Sequence, residues 1–236
     1  LVIEESVAAG FELLGGYRKF FNPGDRILLK PNMLSAKKPE IAVTTHPEFL
    51  RGVIRFFKKN LPPAIMVGDS PGGAVSGTQR VWNETGIGKV CDEEQVIKLN
   101  FEKSGVAHIA AANPRNKRIP LLELARACLP VSPDGKDTAL VSLPKMKTHT
   151  LMLFTGAIKN LYGCIPGLRK AHYHFYATHP DDFAQMLADI MYHVKPRFTI
   201  TDAIVAMEGE GPSAGKQRQT GLIVMGDDLV AVDTVL

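Results

Sequence analysis

The sequence predicts an α/β fold: a mostly parallel sheet with helices packed on both faces, in three layers. Two observations carry this. Apolar runs of strand length alternate with helical patterns along almost the whole chain, as the repeating units of a parallel sheet require. The strand runs, such as "RILLK", "AIMVG" and "TALVSLP", are continuously apolar, whereas a sheet with one wet face would alternate apolar and polar residues. With 45% hydrophobic residues in 236, the chain can bury a large core without disulfide staples. No internal repeat or low-complexity linker divides it, so a single domain over residues 1–236 is expected. The opening on Leu1 and the close on "AVDTVL" read as truncation at both ends of a longer protein.

Taken in order, "LVIEESVAAGFELLGGY" has helical spacing and stops at Gly15-Gly16. "NPGD" is a turn, and "RILLK" is a buried strand ending at Lys30-Pro31-Asn32. "HPEFLRGVIRFFKKN" is an amphipathic helix with Pro47 at its first position. "AIMVG" is a strand leading into Asp69-Ser70-Pro71-Gly72-Gly73, with a helix near Gly77 to Thr85 beyond it. "VIKLN" and "VAHIAAAN" read as short strands, and "LLELARACL" as a helix. "TALVSLP" is a strand that delivers Lys145 and Lys147, and "TLMLFTGAIKNLYG" is helical or nearly so. A polar loop precedes a helix from Pro180 to about His193. "RFTIT" is a strand ending at Asp202, "GLIVMG" is another, and "DDLVAVDTVL" begins a helix.

The formal net charge of +4 is mildly basic, with no Lys/Arg block and no interleaved aromatics, which argues against a nucleic-acid partner. No run of about 18 apolar residues is present to cross a membrane, so no membrane partner is expected. Cys91, Cys128 and Cys164 lie far apart, without CxxC spacing, and read as reduced, buried and intracellular. Three cysteines cannot supply the four thiolates of an ordinary iron–sulfur cluster.

Ligands of open parallel sheets bind outside the carboxyl ends of the strands. Those ends carry Lys30 and Asn32, Asp69 and Ser70, Lys145 with Lys147 and His149, and Asp202. Lysines gathered there bind an anion, as phosphate or carboxylate. The plainer reading is that strand ends reach solvent and are polar for that reason. "GDSPGG", "GCIPG" and "EGEGPSAG" allow close approach of backbone N–H groups to a ligand, although none is a dinucleotide fingerprint or a P-loop. His149 suits acid–base work because histidine titrates near neutral pH. His172 and His174 would project to one face of an extended segment as a candidate metal pair, against which stands the absence of any HExxH-like spacing. His46 and His179, each followed by proline and an acidic residue, read as helix starts. Asp202, Glu208 and Glu210 could hold a divalent cation that bridges to a phosphate, or neutralise the lysines.

The segments "PGDRILLKPN", "VGDSPGG", "LPKMKTHTLMLFTGAIKNLYGCIPG", "TDAIVAMEGEGPSAG" and "VAVD" together resemble the family called domain of unknown function 362, over nearly the whole chain. The resemblance implies a prokaryotic, intracellular (cytoplasmic) protein, in some members joined to a ferredoxin-like segment with two four-iron, four-sulfur clusters. That segment's CxxCxxC spacing is absent here, so any cluster, or ferredoxin-like partner, lies outside this chain. It points to Lys30, Asn32, Asp69, Ser70, Lys145, Lys147, His149, Lys159, Asn160, Asp202 and Gly211 as motif positions. A looser similarity of architecture and lysine–histidine chemistry is to the nickel-pincer lactate racemases. The expectation is an enzyme core binding a small anionic molecule. Lys30, Lys145, Lys147 and Lys159 clamp it, Asp69 and Asp202 orient it or hold a metal, and His149 moves a proton. The alternatives are a non-catalytic ligand-binding or scaffold module of an electron-transfer assembly, and a structural domain whose lysines face solvent.

Overall fold

The computed structural model describes residues 2–61, 64–72, 77–113, 115–131 and 137–236. The first part of the chain forms α1 (Val2–Leu13), β1 (Arg26–Pro31), α2 (Pro47–Asn60), β2 (Ile65–Asp69), α3 (Thr78–Glu84), α4 (Ile87–Glu93), β3 (Ile97–Asn100), β4 (Val106–Ala110) and β5 (Leu121–Ala125). Then follow β6 (Thr138–Leu143), β7 (Lys145–His149), β8 (Leu153–Thr155), α5 (Ala157–Asn160), α6 (Arg169–Tyr176), α7 (Pro180–Val194), β9 (Phe198–Glu208), β10 (Lys216–Gly226) and α8 (Leu229–Val235).

Among the described residues eight strands make the main sheet, in the order β3-β2-β1-β6-β9-β7-β8 with β10 paired to β9. Strands β3, β2, β1, β6 and β9 run parallel, while β8 and β10 are antiparallel additions. Side chains alternate across the pleat. Ile27, Leu29, Val67 and Val141 therefore join Phe11, Phe49, Phe57 and Val90 from α1, α2 and α4 in one core. Leu28, Met66 and Leu140 join Phe183, Ile190, Leu229 and Val232 from α7 and α8 in the other. The mostly parallel α/β sheet covered on both faces is the predicted one. Lys30 follows Leu28 in the same alternation, so its ammonium stands where the apolar layer of the second face ends.

Strands β6 and β7 lie along β9 in one register, Ser142 opposite Thr199 and Lys145 opposite Asp202, with a break at Pro144. Proline has no N–H to give the ladder, but its carbonyl accepts from Asp202 N at 2.9 Å. The lysines expected at the end of "TALVSLP" therefore sit on the following strand.

Several expected elements differ. "LLELARACL" is β5 followed by a 3-10 turn at Arg126–Cys128, not a helix. Leu122 and Leu124 are fully buried, and the antiparallel partner β4 decides in favour of the two-residue period. "TLMLFTGAIKNLYG" gives β8, the short α5 and a 3-10 turn at Leu161–Cys164. "RFTIT" continues to Glu208 because β10 pairs along its length. Helices α4 and α6 arise where the sequence reading expected none, and α6 contradicts the extended segment predicted for His172 and His174. Gly73 of the predicted glycine loop lies outside the described residues. His46 and His179 do start α2 and α7, each ring accepting from the backbone N–H two residues on.

Candidate functional site

At the carboxyl edge of β1, β2 and β7 lies a cavity of about 330 Å³. Its lining includes Lys30 near the end of β1 and Asn32 just beyond it, Asp69 at the end of β2 and Ser70 just beyond it, Lys147 and His149 from β7, Lys159 and Asn160 from α5, and Lys170 and His174 from α6. Four lysines therefore face one carboxylate, Asp69.

Lys30 is fully buried and pairs with that carboxylate, Nζ to Oδ1 at 2.8 Å. Asp69 also accepts from Met33 N and Ser70 N, at 2.8 and 2.9 Å, so its charge is met from three sides. A side chain at Gly163 would land on this pair, which is why "YGC" crosses it with glycine.

The other three lysines have no carboxylate partner among the described residues. Lys147, 1% exposed, donates to Asn32 Oδ1 at 3.0 Å and to the Val43 carbonyl. Burial first, then the charges of Lys159 and Lys145, bring its pKa down to about 7, with Asp69 pulling the other way. Lys159 lies over the rings of Tyr162 and Phe183, 5.1 and 5.2 Å from their centroids, and burial brings it to about 8. Lys170 donates to Ser70 Oγ at 2.7 Å, and burial takes it to about 8 in spite of Asp69.

A chain of amides orders this edge. Asn160 donates to the Lys30 carbonyl and to Ser142 Oγ, leaving its own oxygen for Asn32 Nδ2 at 3.2 Å. That turns the Asn32 oxygen toward Lys147.

His149 differs from its expected role. Burial, then Lys159, His174 and Lys147, lower its pKa to about 4, so it is neutral where it was expected to titrate. Its Nδ1 accepts from Leu151 N and Met152 N at 3.1 and 3.3 Å, which leaves the ring proton on Nε2.

Lys145 and Asp202 stand apart from the cavity. They form a closed pair at 2.9 Å, both nearly fully buried, and Asp202 Oδ2 also accepts from His46 N at the start of α2. Gly211 packs on the Thr148 carbonyl at the rim, while the next residue, Pro212, reaches the cavity.

His172 and His174 are two residues apart on α6, about 200° around a helix, and so face different ways. His174 stacks on Phe183 with centroids 4.8 Å apart. Among the described residues no group of three or more His, Cys, Asp or Glu gathers as a metal site, so the pair does not fit the expected metal. Cys91 belongs to one core and Cys128 and Cys164 to the other, all buried and free, and they do not compose a cluster site.

Lys170 escaped the sequence reading because it comes from a helix rather than a strand end. The available signal was its spacing from His174, four residues, which places both on one face of α6.

Among the described residues no helix is long and apolar enough to cross a membrane. The "Thylakoid-associated protein sll1697" of Synechocystis sp. is 31% identical over 227 residues, covering 95% of this chain. The chain spans 66% of that relative's length. The profile of the family described as "Domain of unknown function (DUF362)" matches residues 27–236, and the chain belongs to that family.

Proposed function

We propose that this chain is an enzyme core that binds a small carboxylate- or phosphate-bearing molecule in the carboxyl-edge cavity. One observation carries the reading: Lys147, Lys159 and Lys170 face a common cavity without a carboxylate partner among the described residues. Buried cations without counter-ions are costly, and an anionic ligand removes that cost. In the bound state Lys159 and Lys170 supply charge, Asn32 and Ser70 supply hydrogen bonds, and Lys147 is the group whose proton moves near neutral pH. His149, neutral, contributes a donor at Nε2. Lys30 and Asp69 hold the floor rather than the ligand. Coupling to an iron–sulfur module outside this chain belongs to the same proposal.

Calorimetric titration with phosphate, pyruvate and citrate tests it. At least one should bind, and Lys159→Met should weaken that binding tenfold or more, the loss of one charge-assisted contact. Absence of binding by all three, or binding indifferent to Lys159→Met and Lys147→Met, contradicts the proposal. The second reading, a ligand-holding module without turnover in a larger assembly, is favoured by the thylakoid association in the relative's name. It predicts the same affinities with no proton exchange into bound ligand.

A further inference from the structure

Two close, uncharged acceptors set Lys147 apart from the other lysines of the cavity. An ammonium has three N–H donors; a neutral amine has two donors and a lone pair. Lys147 Nζ has two acceptors, Asn32 Oδ1 at 3.0 Å and the Val43 carbonyl, both uncharged. The amide chain from Asn160 fixes the Asn32 oxygen in that role. With both donors engaged, the remaining valence of a neutral nitrogen is free for the cavity that Lys147 lines. Of the other lysines, Lys30 and Lys145 pair with carboxylates, Lys159 lies over two aromatic rings, and Lys170 has one close uncharged acceptor, Ser70 Oγ at 2.7 Å, with the Pro71 carbonyl at 3.5 Å.

We propose that Lys147 is an amine nucleophile, and that the ligand class of the cavity is a small oxo acid, captured through its carbonyl carbon as an imine on Lys147 Nζ. This rests on the anion-site reading above and goes beyond it by naming a covalent step. The Nζ lone pair attacks the carbonyl carbon and the carbonyl π pair moves to oxygen. Transfer of a proton from nitrogen to that oxygen gives the carbinolamine. A second proton, from the Lys159 ammonium, lets the hydroxyl leave as water, and the nitrogen lone pair closes the C=N⁺ bond. One amine, one carbonyl and one proton give one iminium and one water, with no oxidant or reductant needed. The carboxylate of the oxo acid meets Lys159 and Lys170, which an uncharged ketone would leave unmatched.

The groups acting on the Lys147 nitrogen support this state at neutral pH. Lys159 on α5 and Lys145 on β7 are the cations, Asp69 at the end of β2 is the anion engaged by Lys30, and Asn32 is neutral. Burial and the two cations lower its pKa to about 7, where an ordinary lysine would be almost wholly protonated.

The experiment is reductive trapping: the intact chain is incubated with pyruvate and cyanoborohydride at pH 6 to 9, digested, and its peptides weighed. The expected result is a pyruvyl adduct on Lys147 whose rate rises through about pH 7 and is suppressed by excess inorganic phosphate. It should vanish in Lys147→Arg, checked for folding by its melting profile. In Lys159→Met, which also loses the proton donor, trapping should be slower and its pH midpoint should move upward, because a repelling charge is gone. If calorimetry shows phosphate or pyruvate bound while Lys147 stays unmodified, or is labelled no faster than exposed lysines, the imine is wrong and the anion site stands. If phosphate, pyruvate and citrate all fail to bind and no adduct forms, both are wrong.

Discussion

Lys147, Lys159 and Lys170 hold their protons less tightly in the fold than an unfolded lysine does. Between about pH 7 and about pH 10 the unfolded chain therefore carries protons that the native chain has released. Stability rises with pH across that window, by at most about 1.4 kcal/mol per pH unit for each group. Below about pH 7 the native state must carry the buried charge, and that increment is gone. Lys147→Met should flatten the rise, which urea midpoints at pH 7, 8 and 9 would show; an unchanged slope would place the shift elsewhere. Gly163→Ala makes a second prediction at this scale. Its methyl would displace the buried Lys30–Asp69 pair, so a loss on the order of 3 kcal/mol is expected by denaturation. Lys30, Asn32, Asp69, Ser70 and Lys147 were legible in the sequence because each lies on or just beyond a parallel strand's end. The titration of His149 was not legible, because burial and its lysine neighbours act only once the chain is folded.

At the scale of elements, the Lys145–Asp202 pair fastens β7 to β9, and through His46 N it also fixes the start of α2. Asp202→Asn leaves the buried Lys145 charge unmatched, and a loss of about 3–5 kcal/mol is expected. A Lys145→Met/Asp202→Leu double variant should recover most of it. Both variants that fold should still bind the anion, since neither residue lines the cavity; selective loss of binding in the double variant at full stability would return Asp202 to the site. The starts of α2 and α7 were readable from "THPE" and "THPD", where the cap and the proline are local features. His179→Ala should cost about 1 kcal/mol. Strand β5 was not readable, because five residues fit either period until β4 is beside them. Helix α6 was obscured by its polar face, and with it went Lys170.

Across the whole molecule, a sheet buried on both faces gathers its polar strand ends at one edge, and helices α5 and α6 close over that edge. Continuous apolar runs made the sheet legible; the added antiparallel strands and the break at Pro144 depend on pairings distant in sequence. In the proposed function these lysines, partly deprotonated in the free protein, form the binding site of an anion. An anion that binds them raises their pKa values, so binding must draw protons from solution. Calorimetry of the binding anion at pH 8, repeated in buffers of different ionisation enthalpy, measures that number directly. Uptake of a substantial fraction of a proton per anion is expected, reduced in Lys147→Met. Binding without proton uptake, or with uptake unchanged in that variant, would contradict it.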